Sequence, residues 1–508
     1  MGQRSPDPSD DLISDPAGSR RRFLKAGLAA VGAAAAPGLA AGPLPAAESR
    51  PNLLILLGEG LRPDVLSSAG NRLGRTPHLD RIAAEGTTFS NAFVTNSLCL
   101  PGRATVMTGL YSHVTGTIDN RDRPIPPQFP ILPDLLHQAG YEVAFVGKSH
   151  VRGALRDHYW DYYFGFNGQA NYYHPEIVEG EKGTYGPAVR YDGYVEDLLG
   201  DRAVAWLQRR TARPFCLFYW PYAPHAPFYR PRRYLDLFNG VAVPKPDTFD
   251  EDLKGYPGKP RAFIDAVNKI GTTQVGNDDP RSLEELVKNY NAGLMAMDDN
   301  VGRIFQVLEQ RGEYANTAVV LHSDHGFFLG EWRMYDKRLM HEPSIRVPLI
   351  VRQAGGKRLE ATVKSMALNL DIAPTVLDLA GVKVPSSFQG RSLMPWLRGE
   401  QPAWRSDWLY EYYEYPEYEH VRPNRGVRTE RYKLIHYFEP PEEFELYDLR
   451  EDPGEKRNLY GEPQFSGLGR ELLARIAELR RETGDTPQAK QLAEALRNIP
   501  QLAPTPKP

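Results

Sequence analysis

Five short apolar runs limit what this chain can fold into more than any other feature: PNLLILL (51–57), YEVAFV (141–146), FCLFYW (215–220), TAVVL (317–321) and VPLIV (347–351). Each is continuous rather than alternating, the pattern of a strand covered on both faces. Four of them run into loops rich in Gly, His, Asp, Glu or Lys, and functional side chains collect where parallel strands end. The intervening segments carry helical spacing. TPHLDRIAAEG (76–86) places Pro77 in a first turn, with Leu79, Ile82 and Ala83 on one side. Residues 131–139 repeat that pattern, and residues 283–310 extend it with Leu286, Leu294, Met297, Val301, Phe305 and Leu308. Alternating strand and helix predicts an α/β fold, a large mixed, mostly parallel sheet sandwiched by helices.

A helix over 369–381 closes that large domain. From about residue 401 the texture changes. Trp408, Tyr410, Tyr412, Tyr413 and Tyr415 alternate, and YKLIHYF and FELYDL follow, which predicts a smaller C-terminal α+β domain built on an antiparallel sheet, ending in an amphipathic helix over 470–483. The expected divisions are 1–47 (leader), 48–400 (catalytic domain), 401–499 (C-terminal subdomain) and 500–508 (a Pro-rich disordered tail). At 508 residues there is material for more than one core. A net charge of only −3 offers no basic excess, which excludes nucleic acid as the expected partner. Two cysteines cannot build a disulfide framework, and Cys216 falls inside an apolar run as a buried strand thiol.

The leader has its own signature. Arg20, Arg21, Phe23, Leu24 and Lys25 precede an Ala/Gly-rich apolar stretch ending in small residues, the pattern of a twin-arginine export signal. A membrane anchor fits less well, because the stretch is short and broken by Pro37. The expectation is therefore export through the twin-arginine translocase to the periplasm or beyond, with the mature chain starting near Glu48.

The other cysteine, Cys99, sits in NSLCLPGRATVMTGLY (96–111), where Pro101 is read as a rigid bend, Arg103 brings a permanent cation, and the run 105–109 is turn-ready. Cys-x-Pro-x-Arg followed by Thr108-Gly109 resembles the motif that a formylglycine-generating maturase reads in type I sulfatases of the alkaline phosphatase superfamily. That resemblance implies an alkaline-phosphatase-like fold and a Cys99 oxidised to formylglycine, whose hydrate supplies the nucleophilic oxygen and can expel sulfate by collapsing to the aldehyde once a base takes its second proton. It also implies roles for the strand-end residues. Lys148 and His150, in GKSH, would bind sulfate and take that proton; His225, in APHAPF, and Lys337, in DKRLMHEPSIRVPL, would contact sulfate and assist the leaving oxygen; Arg103 would hold the modified side chain and offset charge. Glu59, Cys99, Asp324 and His325 would hold a divalent metal, calcium by family preference.

Similarity extends from PNLLILL to the end of the tyrosine-rich region. Phrases such as GLYSHVTGTIDN and YDKRLMHEPSIRVPLIVR are most similar to bacterial N-acetylglucosamine-6-sulfatase-like glycan sulfatases, which implies a sulfated small-molecule or glycan substrate. Trp160, Tyr162, Tyr163, Phe164, Phe166, Tyr172 and Tyr173 form either a carbohydrate platform or a packed loop core. The chain departs from the family at LLGEGLRPD, where Glu59 and Gly60 stand in place of two adjacent acids. One carboxylate is thereby lost, and the imidazole of His325 softens the set toward a transition metal. Two alternatives follow: a phosphonate monoester or phosphodiester hydrolase of the same superfamily, and a glycan-binding pseudo-sulfatase without turnover.

Overall fold

In the computed structural model, the described residues are 50–485, apart from 122–123, 151–157, 252, 254–257, 267–268, 272–281 and 417–419. The expected export signal and disordered tail lie outside them. In chain order the elements used below are β1 (Asn52–Gly58), α1 (Pro77–Glu85), β2 (Thr87–Phe89), α2 (Cys99–Thr108), α3 (Leu132–Gln138), β3 (Glu142–Lys148), β4 (Tyr162–Phe166), β5 (Glu176–Glu181), β6 (Thr184–Arg190), α4 (Val195–Arg209), β7 (Phe215–Trp220), α5 (Leu283–Gln310), β8 (Thr317–Ser323), β9 (Leu349–Arg352), β10 (Thr362–Val363) and α6 (Ile372–Leu379). There follow β11 (Asp407–Tyr412), β12 (Asn424–Thr429), β13 (Tyr432–Tyr437), β14 (Glu443–Asp448) and α7 (Ser466–Glu482).

Ten strands form one sheet in the order β10-β2-β9-β8-β1-β7-β3-β4-β5-β6. Its centre, from β8 through β1, β7 and β3 to β4, is parallel throughout. The reason for the continuous apolar runs is visible in β1: Leu53, Ile55 and Leu57 enter one core, and Leu54 and Leu56 enter another on the opposite face. Neighbouring strands divide the same way, with Phe218 and Trp220 on one side and Leu217 and Tyr219 on the other. Each such side chain, removed from water, contributes roughly 1.5–3 kcal/mol. The run at 347–351 forms β9, which pairs antiparallel with both β8 and β2 and ends the parallel block.

Helix α5 is capped by the Ser282 side chain, which accepts from the Glu285 amide at 3.1 Å. It also caps its neighbour: Asp298 accepts the His78 and Leu79 amides at the start of α1, at 3.1 and 2.7 Å. The tyrosine-rich region forms the four-stranded antiparallel sheet β11-β12-β13-β14, with Trp408, Tyr410 and Tyr412 buried. Those residues and Leu472 and Ile476 of α7 belong to the same continuous core as Leu53 and Phe218.

Two local expectations change. Pro101 makes no bend and residues 105–109 are not a loop, because Cys99 begins a ten-residue helix, α2, that closes at Gly109 with φ 63°. Proline is tolerated at the third position, where no helical acceptor exists yet for its missing N–H. The aromatic segment is no sugar platform: Tyr162, Tyr163, Phe164 and Phe166 are the interior of β4, and Trp160 and Tyr172 are equally buried.

Candidate active site

Four central strands deliver the chemistry at their carboxyl ends. Glu59 follows β1, Lys148 ends β3 with His150 just beyond, His225 follows β7 by one loop, and Asp324 and His325 follow β8. Helix α2 crosses this edge with Cys99 in its first turn, and Lys337 arrives from the loop after the short strand Tyr335–Asp336. All of the expected site residues thus meet in one place, although they are up to 278 positions apart, the span from Glu59 to Lys337 (337 − 59).

Glu59 is the hub, a rank that its sequence position alone does not convey. Its Oε2 accepts from Arg103 at 2.6 Å and lies 2.9 Å from Lys148 Nζ. Its Oε1 is 3.3 Å from Cys99 Sγ, 3.1 Å from His325 Nε2, 3.7 Å from His225 Nε2 and 3.9 Å from Lys337 Nζ. Glutamate's extra methylene lets one carboxylate reach both groups of partners. Arg103 is fully buried, and its donors go to Glu59, to Asp324 Oδ2 at 3.0 Å and to the Lys148 carbonyl at 2.6 Å, with its guanidinium 5.3 Å from the Trp220 ring. It holds the carboxylates and the end of β3; a hydrogen bond to residue 99 is not among these contacts.

Charge in this pocket is arranged against ordinary ionisation. Burial pushes the Glu59 carboxyl up, but Lys148 and Arg103 outweigh it and hold the group well below the usual carboxylate range. Asp324 is held up instead, by burial and then by the charge on Glu59. Burial and Glu59 oppose ionisation of Cys99, yet Lys148, Lys337 and His325 draw the thiol well below its usual value. Burial lowers His150 to about 4, so it is a neutral imidazole at pH 7, and its Nδ1 finds no hydrogen-bond partner among the described residues. Burial and Lys148 likewise lower His225.

The donor set fits a divalent cation. Ligand atoms of Glu59, Cys99, Asp324 and His325 all lie within 4.8 Å of one another. His325 Nδ1 pairs with the Gly326 carbonyl at 2.8 Å, which fixes the tautomer with Nε2 facing the cluster. Two carboxylates, one imidazole and residue 99 make a mixed set rather than an all-oxygen cage. Gly60 has a structural reason. Its φ is +66°, its amide donates to Asp324 Oδ1 at 3.2 Å, and its carbonyl accepts from Tyr290. A Cβ there would stand 3.1 Å from Phe327 Cδ2 and 3.3 Å from His325 Cε1, so the imidazole and Phe327 occupy the room that a second acid would need. Asp64, the other acid in that loop, is committed to Arg62.

Two residues near the site escaped sequence reasoning. Tyr222 stacks on His225 at 5.3 Å and lies 5.5 Å from Lys148 Nζ, and the exposed Gln169 places its Oε1 3.5 Å from the same ammonium. Both follow a strand end, which was the available signal. Lys337 is flanked by Asp336 (φ 77°) and Arg338 (φ 86°), non-glycine residues held in the left-handed region, as strained backbone at working sites often is.

Comparison with known proteins gives the family. A family model described as Sulfatase matches residues 51–382, and one described as N-sulphoglucosamine sulphohydrolase, C-terminal, matches residues 330–482. An N-acetylglucosamine-6-O-sulfatase of Bacteroides thetaiotaomicron is 33% identical over 493 residues, covering 86% of this chain and 87% of its own length. Human N-acetylglucosamine-6-sulfatase is 30% identical over 72% of this chain and 67% of its own. Among solved structures, BT4656 in complex with its substrate D-glucosamine-2-N,6-O-disulfate has a TM-score of 0.79 at 31% identity, covering 87% of this chain and all of that one. A phosphonate monoester hydrolase of Agrobacterium radiobacter, at 21% identity and a TM-score of 0.69, shares the fold.

Proposed function

Because this chain belongs to the sulfatase family, we infer that it hydrolyses sulfate monoesters on sugars, of the amino-sugar 6-sulfate class, with Cys99 oxidised to formylglycine. The observation that carries this reading is the convergence of Lys148, His150, His225 and Lys337 around Cys99 and Glu59, two ammonium groups and two imidazoles placed to receive a small tetrahedral anion. The net reaction adds water across the S–O bond, giving sulfate and the free sugar hydroxyl.

Lys148 and Lys337 hold the sulfate oxygens. His225 donates its Nδ1–H in a hydrogen bond to the Ala226 carbonyl at 2.6 Å, which leaves Nε2 facing the pocket; in the imidazolium form Nε2 carries the proton that passes to the leaving oxygen, and the imidazole returns to neutral. His150 is neutral and accepts the proton lost from the side chain at position 99. Arg103 fixes Glu59 and Asp324 in place. Glu59, Asp324, His325 and residue 99 would hold the divalent ion, which when bound supplies positive charge to polarise the sulfate; calcium is the family's preference, and the imidazole widens the choice.

The motif from Cys99 to Arg103 is wholly buried in α2, so a maturase reading it as an extended peptide acts before folding. Export of the folded protein by the twin-arginine translocase to the periplasm is consistent with that order. Replacing Arg20 and Arg21 by lysine and fractionating cells tests the route; an unchanged distribution defeats it.

Function itself is tested with protein made alongside a maturase. Intact mass across residues 96–103 reads the modification, and sulfate release from glucosamine 6-sulfate is compared with hydrolysis of an aryl phosphonate. Preferred sulfate release is expected. Preference for the phosphonate selects the other hydrolase class, no turnover and no bound divalent ion selects a glycan-binding role, and an unmodified thiol removes the hydrolytic mechanism.

A further inference from the structure

Glu196, the second residue of α4, is completely buried and has no cationic side chain at hydrogen-bond distance among the described residues. Its Oε1 accepts two main-chain amides outside its own helix, those of Tyr222 at 2.8 Å and Ala223 at 2.6 Å, and its Oε2 is buried without a partner. A hydrocarbon would fill the same slot at lower cost in desolvation, so the amides it binds call for explanation. They belong to the loop that leaves β7 and carries His225. In that loop Tyr222 accepts the His225 amide at 3.1 Å, stacks on its ring, and donates its hydroxyl to the Ala226 carbonyl at 2.9 Å; Tyr172 donates to the His225 carbonyl at 2.6 Å.

We propose that Glu196 is the positioning residue for His225, anchoring the Tyr222–Ala223 main chain so that the imidazole meets the leaving oxygen of the ester. The proposal rests on the reading of His225 as the residue that serves that oxygen. Glu196 touches neither substrate nor reacting atoms. Burial raises its carboxyl to about 8, so at neutral pH it is a neutral acid and glutamine is its near replica. The chemistry gives a selective signature. A sugar alkoxide leaves poorly unless it receives a proton as the S–O bond breaks, whereas 4-nitrophenolate leaves as a stable anion.

The experiment compares wild type, Glu196→Met and Glu196→Gln, each with its formylglycine content and melting temperature recorded. Glu196→Met is expected to lose about 100-fold in kcat/KM on glucosamine 6-sulfate and less than about 10-fold on 4-nitrophenyl sulfate, consistent with the scale of general-acid help. Glu196→Gln is expected to restore the sugar activity to within a few-fold. In a His225→Asn background the methionine change should add nothing on the sugar. Equal losses on both esters, or a glutamine variant as poor as methionine, overturns the proposal. If Glu196→Met does not fold, Glu196→Ala, which admits water to the two amides, carries the same expectation. Amide hydrogen exchange at Tyr222 and Ala223 is read independently of turnover: it should be slow in wild type and Glu196→Gln and fast in the other variants. Unchanged exchange overturns the anchoring even if no ester is hydrolysed, whereas intact anchoring with an inactive wild type counts against the sulfatase reading alone.

Discussion

Two buried charge clusters handle the same problem in opposite ways. Where β13 and β14 meet the residues after Lys337, Lys259 contacts Glu445, His341 and the Tyr447 hydroxyl, while Lys433 contacts Glu455 at 2.6 Å and Glu342 at 2.8 Å. Arg428 completes the set on Glu342, and the Tyr437 hydroxyl donates to Glu445 at 2.7 Å. Charges there are matched, and the Lys259 ammonium also faces the rings of Phe263, Trp332 and Tyr447 at 4.1–4.8 Å. At the strand ends, by contrast, Glu59 is shared by Arg103, Lys148 and His325, with His225 and Lys337 at longer range. A matched cluster is complete by itself. Arg103 and His325 also engage Asp324, and Lys337 engages Asp336, but Lys148 has only the shared Glu59 among the described carboxylates, so an incoming anion stabilises this cluster further, and that difference separates a brace from a binding site.

The largest effect should come from breaking the brace. Lys259→Met strands Glu445 in the core, and removing one member of a buried pair costs about 3–5 kcal/mol. Chemical denaturation should show that loss while KM for the sulfate ester stays within about two-fold. Adding Glu445→Gln, whose amide oxygen still accepts from Tyr437, should recover most of it. A loss below about 1 kcal/mol, or a collapse of activity in fully folded protein, would mean that the two clusters are not separable.

Next in size is the converse change. Lys148→Met removes one of the cations competing for Glu59 and should lower kcat/KM by about 100- to 1000-fold, the scale of deleting one preorganised donor. Stability should move by less than about 1 kcal/mol, because Glu59 keeps Arg103 and His325. If Lys148→Met unfolds as readily as Lys259→Met, the contrast between binding site and brace fails.

These clusters also differ in how far the sequence announces them. Every active-site member stands at a strand end or in a short motif, so local signals reach Lys148, His150, His225, Asp324 and Cys99, and the two-faced burial of their strands made the parallel core legible. The brace offers no such signal: Lys259 and Glu445 lie 186 positions apart and meet only through tertiary packing. The rank of Glu59 as hub and the antiparallel insertion of β9 are hidden for the same reason, since each depends on which partner a segment finds, whereas the burial of most of the 160–173 aromatics follows one of the two readings the sequence offered. Helix α2 stands where a turn is expected because Pro101 signals a break everywhere except in a helix's first turn, which is where it sits.

A smaller change asks whether the active cluster is short of a carboxylate or built without one. Gly60→Asp supplies the second acid that the family resemblance leads one to expect, yet it adds a Cβ 3.1 Å from Phe327 at φ +66°, on a backbone held by Asp324 and Tyr290. The expected result is a destabilisation of about 1–3 kcal/mol and no gain in divalent-ion affinity by calorimetry. Gly60→Ala should match that loss in stability, which would assign it to crowding rather than charge. Tighter metal binding by Gly60→Asp at unchanged stability would show that the pocket has room for a second acid after all.

The smallest effect lies outside both clusters, at His113, just past α2. Its Nδ1 pairs with Glu411 of β11 at 2.6 Å and its Nε2 with the carbonyl of Thr483 at the end of α7. Burial alone would lower this imidazole, but Glu411, the Thr483 carbonyl and Asp485 override it and raise its pKa above the ordinary histidine value. A group whose folded-state pKa is raised stabilises the protein fully below its unfolded value, near 6.5, and loses that contribution as pH climbs through the folded value. Each unit of elevation is worth about 1.4 kcal/mol. Wild type should therefore lose stability from about pH 6.5 upward, and His113→Gln, which keeps a neutral hydrogen-bonding side chain, should be less stable at pH 6 but show a flatter profile. Parallel profiles for the two proteins would mean that His113 is neutral in the fold, and that protonation plays no part in joining the segment after α2 to the C-terminal sheet.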